Sequence, residues 1–466
     1  MRANLNHVTI KIYLLYMKIF NLNNKSAFYA LVMMLFCNGF WGCITIPNRF
    51  SVIAPGYWRA ELQLDDKTIA PNRLPSNAFE KINVRFEEAT GGALPFLMEV
   101  KYMNDTAFTI ELINASERIL VKSDEISFGR DRKTGKDTLM IRFPIYDSYI
   151  KAIYNEKVME GDWVVPAKKL SIPFVAHNGQ NHRFTTLAKK PKADLTGAWE
   201  TTFGVGDSIP EKAIGEFKQT GNQLTGTFRT ETGDYRFLEG EIQADKVYLS
   251  CFDAAHAFLF EAKWHVGDTL TGIFRSGRSA KSIWTAVRNK NFQLRQADRL
   301  TFLKPGYKTL DFKFKTPEGT EISPNAPEYQ GKVKIIQIMG SWCPNCKDES
   351  RFLVGYLRDN PSIPLAVIGL AFERTPESAG EQIKTYRAKM NIPYAIAIAG
   401  TSNKKEEAAK ALPALNHVMA YPTTIFIDKK GVVRKIHTGF DGPATTEYPK
   451  FVQEFDVFVK QLASEK

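Results

Sequence analysis

The segment GSWCPNCKDE (340–349) contains the residues of this chain best suited to chemistry. It places Cys343 and Cys346 three positions apart in a 466-residue chain that has only five cysteines. Two thiols at this spacing can exchange electrons with a disulfide, bind a metal ion, form a structural crosslink or, when histidine follows, attach haem. The surrounding sequence distinguishes between these chemistries.

Zinc and haem are disfavoured by the residues that these sites would need. A structural zinc site uses four ligands, and the sequence has no second CxxC and no HxxxH motif. Haem attachment requires CxxCH, but residue 347 is lysine. A peroxiredoxin would have a lone cysteine in a PxxxTxxC context, which the sequence lacks. A crosslink across so short a loop gains little stability. We therefore expect a redox-active pair with no metal and no cofactor.

A strand followed by a helix is predicted around the two cysteines. VKIIQIM (333–339) is a near-continuous apolar run, and CKDESRFLVGYLRD (346–359) has a helical pattern. Cys343 would then lie at the helix N-terminus, where free N–H groups and the helix dipole stabilise a thiolate. We expect Cys343, at an exposed first turn, to attack a disulfide. Cys346, one turn further on, would resolve the mixed disulfide.

Strand and helix patterns alternate through residues 300–466. This alternation predicts an α/β domain that contains parallel strand pairs covered by helices. The further strands are LAVIGLAF (365–372), TTIFID (423–428) and, after the KKG hairpin (429–431), VVRKIHTGF (432–440); the further helices are AGEQIKTYRAKM (379–390) and residues 446–463.

Three motifs of this domain resemble a known family. They are WCPNC at the strand–helix junction, Tyr421-Pro422-Thr423-Thr424 before a later strand, and the DKKG hairpin (428–431). Their types and order resemble the TlpA/ResA branch of the thioredoxin superfamily. The whole chain resembles the Bacteroidetes-type multidomain lipoproteins that end in such a module. The resemblance implies a thioredoxin-like fold and thiol–disulfide oxidoreductase activity in the reducing direction.

The resemblance also implies further site residues. Pro422 would form a cis peptide bond facing the cysteines, and Trp342, Tyr421 and Pro422 would contact the substrate. Glu349 follows Cys346 by three residues, on the same helix face, where a carboxylate can take the thiol proton or tune the thiol pKa. The alternative is a solvated first-turn acid stabilised by the helix dipole, which is what we expect for Asp348.

Gln337 departs from the pattern of related proteins, and two histidines leave a second function open. Gln337 occupies the place of the buried aspartate of many thioredoxins, which argues against a proton path through this strand and increases the interest of Glu349. Copper chaperones with this fold space their cysteines one residue wider and use a distant histidine. His417 and His437 are available for that role, so copper delivery stays an alternative.

The start of the chain has the pattern of an export signal. Residues 27–42, AFYALVMMLFCNGFWG, are apolar and uncharged, too short for a typical membrane span and typical of a signal peptide. Gly42 before Cys43 resembles a bacterial lipobox. We therefore expect a signal peptide over residues 1–42, with Met17 as an alternative start, and a lipid on Cys43. An ordinary signal peptide and an uncleaved anchor are the alternatives. Export would place the cysteines where disulfides persist.

The middle of the chain predicts two β-rich domains, at residues 43–190 and 191–295. The second contains the repeated segments LTGAW, LTGTF and LTGIF between hairpin turns, which indicate an antiparallel sheet and a possible small barrel. A barrel mouth could bind a ligand. No convergent polar set stands out, so we expect a scaffold. Cys251 and His256 lack a third metal ligand and are interpreted as a buried thiol and an ordinary histidine.

Together these patterns predict a multidomain protein with two β-rich N-terminal domains and a C-terminal α/β thioredoxin-like domain over residues 300–466. The formal net charge is +12, but no Lys/Arg run with interleaved aromatics indicates nucleic-acid binding. The expected function is extracytoplasmic thiol–disulfide exchange, lipid-anchored on the periplasmic side of a bacterial membrane. The resemblance implies disulfide-containing extracytoplasmic proteins as partners and a membrane thiol carrier of the DsbD/CcdA type as electron donor. A redox-sensing binding module and copper delivery are the alternative functions.

Overall fold

The computed structural model describes residues 53–65, 90–402 and 405–466. All of these belong to one compact unit, residues 51–466. The predicted signal peptide and Cys43 lie outside the described residues. In the described part of the chain, no helix combines the length and apolarity needed to cross a membrane.

Nine antiparallel strands form the N-terminal sheet, in the order β4-β3-β2-β1-β9-β8-β7-β6-β5. Side chains alternate between a buried and a more exposed face, as in β7, and the buried face packs around Trp58, Phe96 and Trp163. Pro144 begins a 3₁₀ turn directly after β6 and ends that strand. The strands are β1 Gly56–Gln63, β2 Ala93–Tyr102, β3 Phe108–Asn114, β4 Glu117–Val121, β5 Ile126–Arg130, β6 Asp137–Phe143, β7 Ser148–Tyr154, β8 Val158–Val165 and β9 Leu170–Asn178.

The next nine strands form a barrel. Eight of them follow each other around the ring, and pairing of β11 with β12 closes it. The short strand β13 pairs only with β12, at the rim. The strands are β10 Gly197–Phe203, β11 Glu211–Thr220, β12 Gln223–Thr230, β13 Gly233–Asp234, β14 Leu238–Gln243, β15 Lys246–Phe252, β16 Ala257–His265, β17 Thr269–Ser276 and β18 Ala280–Arg288.

Aromatic side chains fill the inside of the barrel. Phe228 and Phe260 have ring centroids 4.7 Å apart, and Phe260 stacks on Phe274 at 4.5 Å. Cys251 is buried in the same core. The glycine of the LTGIF segment has a packing reason, since a Cβ at Gly272 would lie 2.0 Å from the carbonyl oxygen of Glu261 on the neighbouring strand. The barrel interior is therefore a packed core.

A mixed sheet with four helices completes the fold and is called the C-terminal domain below. Its strand order is β20-β19-β23-β22-β21-β24-β25, with β21–β22 and β22–β23 parallel. The strands are β19 Phe314–Lys315, β20 Glu321–Ile322, β21 Val333–Met339, β22 Leu365–Glu373, β23 Ala395–Thr401, β24 Thr423–Ile427 and β25 Val433–Thr438. The helices are α1 Pro344–Asp359, α2 Pro376–Met390, α3 Lys405–Ala411 and α4 Tyr448–Ser464.

The sequence patterns located most of these elements. The runs at 333–339, 365–372 and 423–428 correspond to β21, β22 and β24. The helix predicted from residue 379 begins earlier, because Pro376 occupies the first helical position, where proline is well tolerated. Strands β19, β20 and β23 and helix α3 were not predicted.

The C-terminal domain packs on both β-rich parts of the chain. Lys389 of α2 forms an ion pair of 2.5 Å with Glu125, beside β5. The ammonium group of Lys347 lies 5.1 Å from the ring centre of Tyr146. On the barrel side, Glu216 accepts a hydrogen bond of 2.8 Å from the backbone of Thr446. These contacts place the N-terminal end of α1 inside the molecule.

Candidate active site

The sulfur of Cys343 lies at the N-terminus of α1. Cys343 is the residue before the first helical turn, and its Sγ accepts a hydrogen bond of 3.2 Å from the backbone N–H of Cys346. Its thiol donates to the carbonyl oxygen of Tyr421, also at 3.2 Å. The Tyr421–Pro422 peptide bond is cis, as the resemblance implied. The two cysteines are free thiols.

The prediction that Cys343 is exposed is wrong, because the barrel covers this end of the helix. Only 6% of Cys343 is exposed. The side-chain amide of Asn345, in the CPNC turn, donates to the carbonyl oxygen of Asp234 at the barrel rim, at 3.3 Å. A Cβ on the adjacent Gly233 would lie 2.2 Å from the same amide nitrogen. The active-site turn and the barrel rim are thus in direct contact.

Cys346 is fully buried one helical turn further on. Burial raises the pKa of the Cys346 thiol well above its usual range, and the neighbouring Cys343 and Glu349 act in the same direction. Cys346 is therefore a protonated thiol near neutral pH. It needs a base before it can act as a nucleophile.

Glu349 is a buried carboxylic acid on the same helix. It accepts hydrogen bonds from the side-chain amide of Gln337, at 2.8 Å, and from the hydroxyl of Thr424. Burial raises the pKa of Glu349 to about 7, although these two hydrogen bonds favour the charged form. The alternative interpretation of Glu349 as a solvated acid is therefore wrong, and its charge changes near neutral pH.

Gln337 connects Glu349 to a buried polar network. Its side-chain oxygen accepts hydrogen bonds from Ser350 at 3.1 Å and from the hydroxyl of Tyr394 at 3.2 Å. Its amide nitrogen also lies 3.4 Å from the carbonyl oxygen of Cys346. From the sequence, Gln337 was identified only by its place, where many thioredoxins have a buried aspartate. Its position as the one uncharged polar residue in an apolar strand was the signal that it has a partner inside the fold.

Trp342 and Tyr421 flank Cys343. Their rings meet edge to face with centroids 5.6 Å apart, and the indole N–H of Trp342 donates to the carbonyl oxygen of Phe372 at 2.9 Å. The preceding Ser341 donates from its backbone and its hydroxyl to the buried carboxylate of Glu373, at 2.8 and 2.7 Å. Glu373 was not identified from the sequence. A carboxylate at the carboxyl end of a central parallel strand was the available signal.

The expectation that Asp348 is solvated is also wrong. Asp348 is 4% exposed and pairs with the guanidinium of Arg236, which lies in the barrel segment between β13 and β14. Arg236 also contacts Glu117 of β4 at 2.7 Å and Asp253 at 3.5 Å. Although burial disfavours the charged guanidinium, these carboxylates hold the pKa of Arg236 well above its usual range. We call these four residues the Arg236 cluster; it joins the N-terminal sheet, the barrel and α1.

The described residues contain no group of three or more His, Cys, Asp and Glu side chains placed to hold a metal ion. His437 lies on β25, and its Nδ1 is 2.9 Å from Asp298. His256 is at the barrel rim, where its Nδ1 is 3.2 Å from Asp253. Cys251 is a buried thiol, as the sequence predicted, and its burial raises its pKa well above the usual range.

Residues 305–436 match the model of the AhpC/TSA family. They form an AhpC/TSA thioredoxin-like domain. A sequence relative is the "Thioredoxin-like protein YneN" of Bacillus subtilis (strain 168), which is 27% identical over 137 residues, covering 29% of this chain and 73% of the relative. The family match lies in the C-terminal domain, called the thioredoxin-like domain from here on, which contains every predicted site residue among the described residues.

Solved structures with similarity to this chain also cover about a third of it. One is a thiol:disulfide interchange protein from Chlorobium tepidum TLS, 21% identical, covering 34% of this chain and 96% of that chain with a TM-score of 0.26. Another is a thiol-disulfide oxidoreductase from Bacteroides fragilis NCTC 9343, 18% identical, covering 31% of this chain and 99% of that chain with a TM-score of 0.24.

Proposed function

We propose that this protein is an extracytoplasmic thiol–disulfide oxidoreductase that reduces disulfides through Cys343 and Cys346. The observation that carries the proposal is the position of the Cys343 sulfur, between the N–H of Cys346 at the helix N-terminus and the carbonyl oxygen of Tyr421. The names of the relatives, as thioredoxin-like and thiol–disulfide exchange proteins, support the same enzyme class.

The first step is an attack by the Cys343 thiolate on one sulfur of the substrate disulfide. A bond forms between the Cys343 sulfur and that substrate sulfur, while the substrate disulfide breaks. The other substrate sulfur leaves as a thiolate and takes a proton from water. The N–H groups at the start of α1 stabilise the attacking thiolate, because the helix N-terminus carries partial positive charge.

The second step releases the substrate and oxidises the cysteine pair. Cys346 transfers its proton to the carboxylate of Glu349, and its thiolate attacks the Cys343 sulfur. The Cys343–Cys346 disulfide forms, and the remaining substrate sulfur leaves as a thiolate. Two electrons have then passed from the cysteine pair to the substrate. The buried, protonated state of Cys346 is the reason that this step needs a base.

The cellular setting is also proposed. A signal peptide over residues 1–42 would direct export, and a lipid on Cys43 would hold the mature protein on the periplasmic side of the membrane, as in TlpA/ResA-like lipoproteins. Disulfide-containing extracytoplasmic proteins would be the substrates, and a membrane thiol carrier of the DsbD/CcdA type would return the pair to its reduced form. A reduction potential of about −250 mV or below fits this direction, whereas one of about −120 mV would indicate an oxidant.

The roles of the two cysteines are tested by serine variants. We expect Cys343→Ser to abolish exchange, since the attacking sulfur is gone. Cys346→Ser keeps the attacking sulfur but lacks the thiol that breaks the mixed disulfide, so adducts joined through Cys343 should accumulate. A non-reducing gel with a disulfide substrate, followed by mass spectrometry of the adduct, makes the measurement.

Adducts in Cys343→Ser and none in Cys346→Ser would reverse the two roles. Adducts in neither variant, together with no turnover by the wild type, would contradict the exchange mechanism. Cys251→Ser is the matched control, because this third thiol is buried in the barrel core, away from the CxxC turn. It should leave exchange unchanged.

A further inference from the structure

Cys343 opens onto a cleft that three parts of the fold build together. The cleft has a volume of about 410 Å³. We call it the Cys343 cleft; besides Cys343, its walls include Lys168, Thr232, Tyr235, His256, Trp342 and Tyr421. Lys168 follows β8 of the N-terminal sheet, whereas Thr232, Tyr235 and His256 belong to the barrel. Because so little of Cys343 is exposed, a substrate sulfur must enter this cleft to meet it.

Asp234 links the barrel rim to the residues on the other side of the cleft. Its carbonyl oxygen accepts the hydrogen bond from Asn345 described above, and its carboxylate accepts one of 3.0 Å from the backbone N–H of Gly442. The rim is thus attached both to the CxxC turn and to the loop that follows β25. A folded protein whose disulfide lies flush with its surface would have to displace these contacts to reach Cys343.

One part of the cleft wall is aromatic and suited to an apolar side chain, while the rest is polar and includes Lys168 and Glu211. Tyr235 and Phe258 on the barrel side have ring centroids 5.1 Å apart, and Trp342 and Tyr421 stand on the other side. Aromatic rings at a binding site supply a large apolar contact area at low entropic cost. Asn345 also lines the cleft, and its side-chain oxygen is buried without a hydrogen-bond partner among the described residues. A buried acceptor of this kind is stabilised by an N–H donor.

We propose that the Cys343 cleft binds an extended polypeptide segment with an apolar or aromatic side chain beside its disulfide-bonded cysteine. Such a segment supplies both a side chain for the aromatic walls and backbone N–H groups for Asn345. The volume lies within the roughly 300–1,000 Å³ of sites for small ligands, which suits a few residues of extended chain but not a folded surface. The inference rests on the proposed exchange at Cys343.

Mixed disulfides with one common leaving group test this selectivity in the wild-type protein. Each substrate carries thionitrobenzoate on a single cysteine, so attack by Cys343 forms a Cys343–substrate disulfide and releases the coloured thionitrobenzoate anion. The substrates are an unstructured peptide with Phe beside the cysteine, the same peptide with Ser, the glutathione conjugate, and a folded carrier with its cysteine flush with the surface. We expect the Phe peptide to react about tenfold faster than the folded carrier, and faster than the Ser peptide.

A tryptophan placed in the cleft provides a second test. Thr232→Trp should lower the rate with the Phe peptide about tenfold, and the rate with the glutathione conjugate much less. Thr220→Trp is the matched control, since Thr220 is exposed at the end of β11 and is not a wall residue of the cleft. It should change neither rate.

Several outcomes would overturn the inference. Equal wild-type rates for the Phe peptide and the folded carrier would mean that the barrel does not select extended segments. A glutathione conjugate that reacts fastest would make the cleft a site for small disulfides. Equal effects of Thr232→Trp and Thr220→Trp would also contradict it. Failure of all substrates, the glutathione conjugate included, would contradict the proposed exchange itself, and this separates the two failures.

Discussion

At Glu349, burial and hydrogen bonding oppose each other. Burial favours the neutral acid, while the bonds from Gln337 and Thr424 favour the carboxylate, and the resulting pKa is about 7. A group with this pKa is a base for part of the population near neutral pH, which suits proton transfer from a buried thiol. The helix spacing indicated that Glu349 and Cys346 share a face, but not that the acid would be buried.

Glu349→Gln should slow resolution of the mixed disulfide and remove its dependence on pH near 7. In the wild type, the carboxylate fraction rises as pH increases through about 7, so resolution should accelerate over that range. Glutamine cannot accept the proton, and we expect a loss of about tenfold or more at pH 8. Rapid-quench measurement of the formation and decay of the Cys343 mixed disulfide, after the reduced protein is mixed with substrate, gives the rate.

One control variant and one stability measurement accompany Glu349→Gln. Ser350→Ala removes a neighbour of Gln337 on the same helix but keeps the carboxylate, so its pH dependence should persist. Glu349 has a folded-state pKa above its ordinary value of 4.5, so the wild type should lose stability relative to Glu349→Gln as pH rises from about 4.5 through 7. Identical pH–rate curves for wild type and Glu349→Gln would remove Glu349 from the mechanism.

At the scale of elements, the first turns of α1 are buried on every side. Cys346 and Glu349 face the interior of the thioredoxin-like domain, whereas Lys347 and Asp348 face the two β-rich parts of the chain. Charged residues in such a place need partners, since an unpaired buried charge is costly. The Arg236 cluster provides that partner for Asp348.

Arg236→Met should destabilise the folded protein by about 3–5 kcal/mol, because it leaves buried carboxylates without their cation. Urea unfolding followed by tryptophan fluorescence measures the change. Arg295→Met is the comparison, since Arg295 forms an exposed ion pair with Glu231 and should alter the unfolding free energy little. Similar effects of the two substitutions would mean that the Arg236 cluster contributes no more than a surface ion pair.

At the scale of the whole molecule, the sequence located the local elements well and the contacts between them poorly. Strand β21 and helix α1 have periodicities that are complete within a few residues, so they could be predicted. The burial of Cys343 and Asp348 depends on Asp234 and Arg236, more than a hundred positions earlier in the chain. No pattern near either cysteine encodes that distant cover.

Gly439 is a point where the thioredoxin-like domain approaches the barrel backbone. Its φ is +81°, and a Cβ there would lie 3.1 Å from the carbonyl oxygen of Glu231. Gly439→Ala should therefore loosen the barrel rim and raise the alkylation rate of Cys343, measured by mass spectrometry after iodoacetamide labelling.

Gly431→Ala is the matched control for this variant. Gly431 has a similar φ of +88° and nothing within 4 Å of its Cβ position, so the backbone strain is comparable while the barrel is untouched. We expect no change in the alkylation of Cys343. Equal rates in the two variants would mean that the close approach at Gly439 does not control access.

The entrance to Cys343 through the Cys343 cleft also has a kinetic consequence. If exchange proceeds as proposed, the substrate disulfide and the thiol that restores the reduced pair must use the same opening in turn. The steady-state rate should then follow a double-displacement pattern, with parallel double-reciprocal lines. Excess substrate should compete with the electron donor for the oxidised form, so that turnover falls at high substrate concentration and recovers when more donor is supplied.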